Sequence, residues 1–78
     1  MAQYFFTRQR AEHLAREMSR FTAGLIFTVI PFSKHRGCTE YMVSIAIVEH
    51  PELELINVGN EEEWSCVMTL VHRMGVER

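Results

Sequence analysis

A small α+β domain, ordered helix, three antiparallel strands, helix and spanning residues 1–78, is predicted by three observations. Apolar residues recur at helical spacing near both ends of the chain, a β-branched and aromatic run fills its middle, and isolated glycines and prolines mark the changes between them. A chain of 78 residues makes one domain, and a domain of that size buries only about 60% of its unfolded surface, so its core is small. Its hydrophobic content of 47% is too high for a disordered chain.

Thr7 suits an N-cap, and behind it Ala11, Leu14, Ala15 and Met18 follow the i, i+3, i+4, i+7 stripe of an amphipathic helix ending near Phe21. The stripe is narrow and built of small residues, which suits close contact with a sheet. From Gly24 the run Leu-Ile-Phe-Thr-Val-Ile-Pro-Phe reads as a strand, Ser33 to Gly37 as a polar turn, and Glu40 to Glu49 as a second strand that closes a hairpin. Pro51 can open an edge strand, and Glu52-Leu53-Glu54-Leu55 alternates, so a short third strand is expected, its glutamates discouraging edge-to-edge association. Asn57 to Asn60 reads as the exit turn.

The last helix carries the clearest signals. Asn60 can cap it, Glu63 can reach back as in a capping box, and Glu61 and Glu62 sit where the helix dipole is positive. Trp64, Val67, Met68 and Val71 mark its buried stripe, His72 and Arg73 suit its C-terminal turn, and Gly75 is the expected stop.

Two helices on one face of a three-stranded sheet leave the other face without a helix. In the second strand Tyr41, Val43, Ile45 and Ile47 point one way and Met42, Ser44, Ala46 and Val48 the other; in the first, Ile26, Thr28, Ile30 and Phe32 oppose Leu25, Phe27 and Val29. Neither set is polar. Either Tyr4, Phe5 and Phe6 fold back over the open face as an extra N-terminal strand, or Ile26, Ile30, Phe32 and Met42 form an interface for a second copy or another protein.

The sequence offers little for catalysis or cofactor binding. His13, His35, His50, His72, Cys38 and Cys66 show no metal-ligand spacing beyond a loose His35-x-x-Cys38 pair, so no metal or other cofactor is expected. Lys34, His35 and Arg36 would activate a Cys38 thiolate, but a hairpin turn has little from which to build a base and an oxyanion site. The glycines are single breaks with no phosphate-cradling loop, the glutamate run has a capping explanation, and the chain has no aspartate. No enzymatic activity is expected. Two cysteines are too few for a disulfide scaffold, and the N-terminus lacks the pattern of a signal peptide, so a cytoplasmic protein with reduced thiols and no membrane contact is expected.

Charge is sorted along the chain. Residues 1–37 hold six basic against two acidic side chains, net +4, and residues 38–78 hold two against eight, net −6. Opposed halves predict a dipolar surface that steers a charged partner. Arg8 and Arg10 lie in a first helical turn, against the dipole, and Lys34, His35 and Arg36 crowd one turn. These five residues are the expected contact with a protein partner that carries an acidic or phosphate-bearing surface. The element order resembles that of double-stranded RNA-binding domains, which touch RNA through the first helix, the loop between the first two strands and the start of the last helix. The first two places are basic here, whereas the third is Glu61-Glu62-Glu63, where that family carries lysines, and three carboxylates there oppose phosphate. The expected function is therefore a non-enzymatic protein-binding module, one form of which is a phage-type inhibitor of a host defence or transcription complex, such as an anti-CRISPR-like protein. RNA or DNA binding through the basic half is the alternative, and self-association through the apolar sheet surface is expected with either.

Overall fold

The computed structural model describes residues 5–74, apart from the side chains of His35 and Met74. The Thr7 hydroxyl accepts the Arg10 N–H at 3.2 Å and opens α1 (Arg8–Phe21). Thr22 closes it: the Thr22 N–H and hydroxyl both donate to the Met18 carbonyl, at 3.0 and 2.9 Å. Gly24, in the left-handed region at φ 85°, turns the chain into β1 (Leu25–His35). β1 pairs antiparallel with β2 (Cys38–Ile47), which pairs antiparallel with β3 (His50–Val58), and the sheet order is β1-β2-β3. α2 (Glu61–Met74) follows, its predicted stop at Gly75 lying outside the described residues. This is the expected αβββα order.

Three local features depart from the predicted ones. The expected Ser33–Gly37 turn contracts to a two-residue loop, because His35 already faces Cys38 and both Arg36 (φ 53°) and Gly37 (φ 82°) are left-handed. That is the twist-matched type I′ hairpin geometry. Near the end of β1, Pro31 opposes Tyr41 and Ser33 opposes Glu40, so Phe32 is bulged out of the ladder.

The third strand is longer than predicted: Asn57 and Val58 still pair, with Ser44 and Val43, and only Gly59 and Asn60 remain as the exit. Within it the register slips twice. Ile56 opposes Ile45, Glu54 opposes Ala46 and His50 opposes Ile47, which leaves Leu55 and Pro51–Leu53 without ladder partners. The Glu52-Leu53-Glu54-Leu55 alternation is therefore broken, and Leu53 is 57% and Leu55 52% exposed.

Both helices pack on one sheet face. Ala11, Leu14 and Ala15 of α1 and Trp64, Val67 and Val71 of α2 are buried against Val43, Ile45 and Val58, with Leu25, Phe27, Val29 and Tyr41 at the margin. The alanines let α1 lie close over β1 and β2, while α2 approaches the sheet less closely, its Trp64 ring meeting Phe6 at 6.3 Å, edge to face, and Phe27 at 6.2 Å.

Phe6 occupies the place beside β2 that β3 leaves after Val58. Its N–H donates to the Gly59 carbonyl at 2.9 Å, and its carbonyl accepts the Tyr41 N–H at 3.0 Å. This is a one-residue bridge, not the expected extra strand, and it delivers Phe6 to the helix-side core. Phe5 packs instead on Phe32, with ring centroids 4.7 Å apart, and Tyr4 lies outside the described residues.

Candidate binding surfaces

The helix-free face follows from the register. Ile26 opposes Ala46, Thr28 opposes Ser44 and Ile30 opposes Met42, all with the parity opposite to the core set. Of the predicted interface residues, Ile26, Ile30 and Met42 are half-buried by their neighbours and Phe32 is exposed. Ser44 and Ala46, on the central strand, are buried by the side chains around them. This face has the small residues Ser44 and Ala46 at its centre, and at one end Phe32 packs on Phe5.

The basic candidates divide into two groups. Arg8 donates to Glu12 at 3.1 Å, an exposed i,i+4 pair. Arg10 reaches from α1 to the start of α2, where its guanidinium donates to both carboxylate oxygens of Glu61, at 2.6 and 3.0 Å. These hydrogen bonds hold the Glu61 carboxyl below the usual carboxylate range and raise the Arg10 guanidinium, against the opposing effect of burial. The Arg10 charge, unfavourable at its own helix end, is thus held by a carboxylate that is favourable at the other. This pair ties a positive stretch of sequence to a negative one, so the folded surface is less polarised than the linear charge order.

Lys34 and Arg36 differ from them. Both are exposed at the hairpin tip with no ion pair among the described residues, and Arg36 has the left-handed backbone that glycine or asparagine adopts more readily. The His35 backbone ends β1, and its side chain is outside the described part. The topology sets the hairpin tip at the same end of the sheet as Thr7, Phe6 and Gly59, so the starts of both helices and the tip share one end.

Three exposed apolar side chains, Leu55, Ile56 and Leu70, gather elsewhere. α2 stands away from the outer part of the sheet, and between it and β3 runs an open groove. Leu25, Ile45, Leu55, Ile56, Val67 and Leu70 line one stretch of it, with a volume of about 220 Å³. It continues past Cys66 and Asn57 towards Glu62 and Glu63. Leu55, Ile56 and Leu70 are 52%, 42% and 55% exposed, and no lysine or arginine lines the groove. The Glu63 carboxylate accepts the Gly59 N–H while Asn60 Oδ1 accepts the Glu63 N–H, both at 2.9 Å. This capping arrangement fixes the acidic end of the groove.

Compared with known protein families, curated proteins and solved structures, the chain matches none. The resemblance to double-stranded RNA-binding domains is therefore one of element order. At the three corresponding places the chain has Arg8 and Arg10 engaged with glutamates, Lys34 and Arg36 open, and Glu61 closed onto Arg10.

Among the described residues, no three His, Cys, Asp or Glu side chains could jointly hold a metal ion, every buried side-chain nitrogen or oxygen has a hydrogen-bond partner, and no helix is long and apolar enough to cross a membrane. Cys38 and Cys66 are free and exposed thiols.

The groove was not legible as a site in the sequence, although one sign of it was. Cys66 and Leu70 flank the Trp64-Val67-Val71 stripe, so the apolar arc of α2 is wider than the sheet beneath it covers.

Proposed function

We propose that this chain is a non-enzymatic protein-binding module whose contact surface is the groove between α2 and β3. The observation that carries this reading is the clustering of Leu55, Ile56 and Leu70, all exposed, around one apolar depression on a domain with a small core. Contiguous apolar area of this kind marks an interface more often than scattered surface leucines do. A module built this way acts as an adaptor or as an inhibitor of a larger assembly, of which a phage-type inhibitor of a host complex is one form.

The test is affinity capture from the source cell after nuclease treatment, comparing the parent chain with Leu70→Asp. Leu70 is 55% exposed, so the fold should tolerate aspartate. The expected result is a defined protein retained by the parent and lost with Leu70→Asp at unchanged melting temperature. Retention of the same protein by both would remove the groove from the contact.

A second reading rests on Arg36. A non-glycine residue kept left-handed at an exposed tip beside Lys34, both without an ion-pair partner among the described residues, supports contact with an acidic surface or with phosphate. Capture that is lost with Lys34→Glu and Arg36→Glu but kept with Leu70→Asp would favour it. If that capture is also abolished by nuclease, and retention on a polyanion column falls steeply with salt, the partner is RNA or DNA.

A further inference from the structure

Resting on the proposed binding groove, we infer that its occupant is an extended segment of a partner protein that adds to the free edge of β3 between Glu54 and Val58, with apolar side chains facing α2 and basic side chains on the opposite face. Three independent features of this edge converge on that chemistry.

The first is the backbone. β3 is the last strand of the sheet and pairs with β2 alone, so the outward N–H and C=O groups of Glu54–Val58 have no ladder partner among the described residues. Unpaired strand edges are completed by another strand.

The second is the groove, which lies on the helix side of this same edge. A strand laid beside β3 sends every second side chain towards Ile56, Cys66 and Leu70. Apolar groups there would cover surface that α2 leaves in water.

The third is charge, which decides the other face of the incoming strand and disfavours a second copy as the occupant. Glu54 opposes Ala46 and therefore stands on the helix-free face. It is exposed and makes no ion pair among the described residues. Among the described residues Glu52 pairs only with His50, at 3.5 Å. No lysine or arginine lies in β3 or lines the groove. Pairing β3 with β3 of another copy would bring two acidic edges together with no lysine or arginine in either strand. A strand with Lys or Arg at alternate positions meets the opposite situation. The glutamates that deter self-pairing are thus the ones that select a basic partner. The detour of Pro51–Leu53 limits the added strand to the short stretch from Glu54 to Val58, within which Leu55 is bulged.

The test uses three capped synthetic peptides, Lys-Val-Lys-Val-Lys-Val-Lys, Lys-Ser-Lys-Ser-Lys-Ser-Lys and Glu-Val-Glu-Val-Glu-Val-Glu, with binding measured by titration and the added strand located by backbone hydrogen exchange. The Lys-Val peptide is expected to bind and to slow exchange of outward amides between Glu54 and Val58. Loss of charge pattern or of apolar groups in the other two should each weaken binding by about tenfold or more, as should Leu70→Asp. Glu54→Lys should transfer preference to the Glu-Val peptide. Protection elsewhere, such as along β1, equal binding of the Lys-Val and Lys-Ser peptides, or no binding at all would overturn strand addition. If a cellular protein is captured in a Leu70-dependent way but its binding leaves exchange at Glu54–Val58 unchanged, strand addition falls while the binding groove stands.

Discussion

At the scale of single residues, Trp64 has the largest structural role. It is the largest side chain in the core and touches Phe6 from the N-terminal bridge and Phe27 from β1, so it joins α2 to two segments distant in sequence. Truncating a buried aromatic of this size costs about 3–5 kcal/mol, a large share of the stability of a small domain. Trp64→Ala is expected to be largely unfolded at 37 °C by circular dichroism. A cooperative melt near that of the parent would show that the two rings repack without it. Gly59 has a different constraint. A Cβ there would stand 2.7 Å from two atoms of the Phe5 ring, so the residue is small because an aromatic side chain lies across it. Neither contact was readable from periodicity. The spacing of Trp64 to Val67 and Val71 puts it on the buried stripe, but its partners come from folding.

Between elements, the pair of Arg10 and Glu61 is the one ion-pair link from helix to helix among the described residues. Both groups are about half exposed, so the pair is screened by solvent, and its bidentate geometry sets its contribution at about 0.5–1 kcal/mol. Because the folded carboxyl is held below its ordinary value, the stabilisation is present at neutral pH, above the unfolded pKa, and is lost as pH falls through the folded value. Glu61→Gln should therefore melt lower than the parent at pH 7 and converge with it as the pH drops below about 4, where glutamate protonates. A difference that persists unchanged at low pH would assign the effect to packing or capping. This pair also explains why Arg10 can stand in a first helical turn, which the sequence left without a local reason. Glu61 likewise has two roles, as a favourable first-turn charge of α2 and as the partner of Arg10.

At the scale of the whole molecule, two apolar surfaces remain open: the helix-free face with Phe32 at its end, and the groove between α2 and β3. They predict different assemblies. Self-association through the helix-free face needs exposed apolar area, yet Ile26, Ile30 and Met42 are half-buried and Ser44 and Ala46 contribute small, shielded side chains. The groove carries the larger exposed side chains but is flanked by carboxylates, which disfavour a second copy. Sedimentation at micromolar concentration is therefore expected to give mainly the 9.1 kDa monomer, with any dimer weak and sensitive to Phe32→Ser. A tight dimer that survives this change and is lost with Leu70→Asp would place self-association in the groove and contradict the charge argument.

What was legible in the chain itself was whatever depends on near neighbours. The caps at Thr7 and Asn60, the stripes Ala11-Leu14-Ala15 and Trp64-Val67-Val71, and the facing of Tyr41, Val43 and Ile45 all follow from spacings of a few residues, and the fold class follows from their order. Tertiary structure decided whatever depends on partners far apart in sequence. The two register slips that expose Leu53 and Leu55, the entry of Phe6 beside Tyr41, and the capture of Glu61 by Arg10 are of this kind. The physical reason is that periodicity reports which side of its own element a residue lies on, whereas a groove is a gap between elements. Its width is set by how far α2 stands from the sheet and by where β3 leaves its ladder.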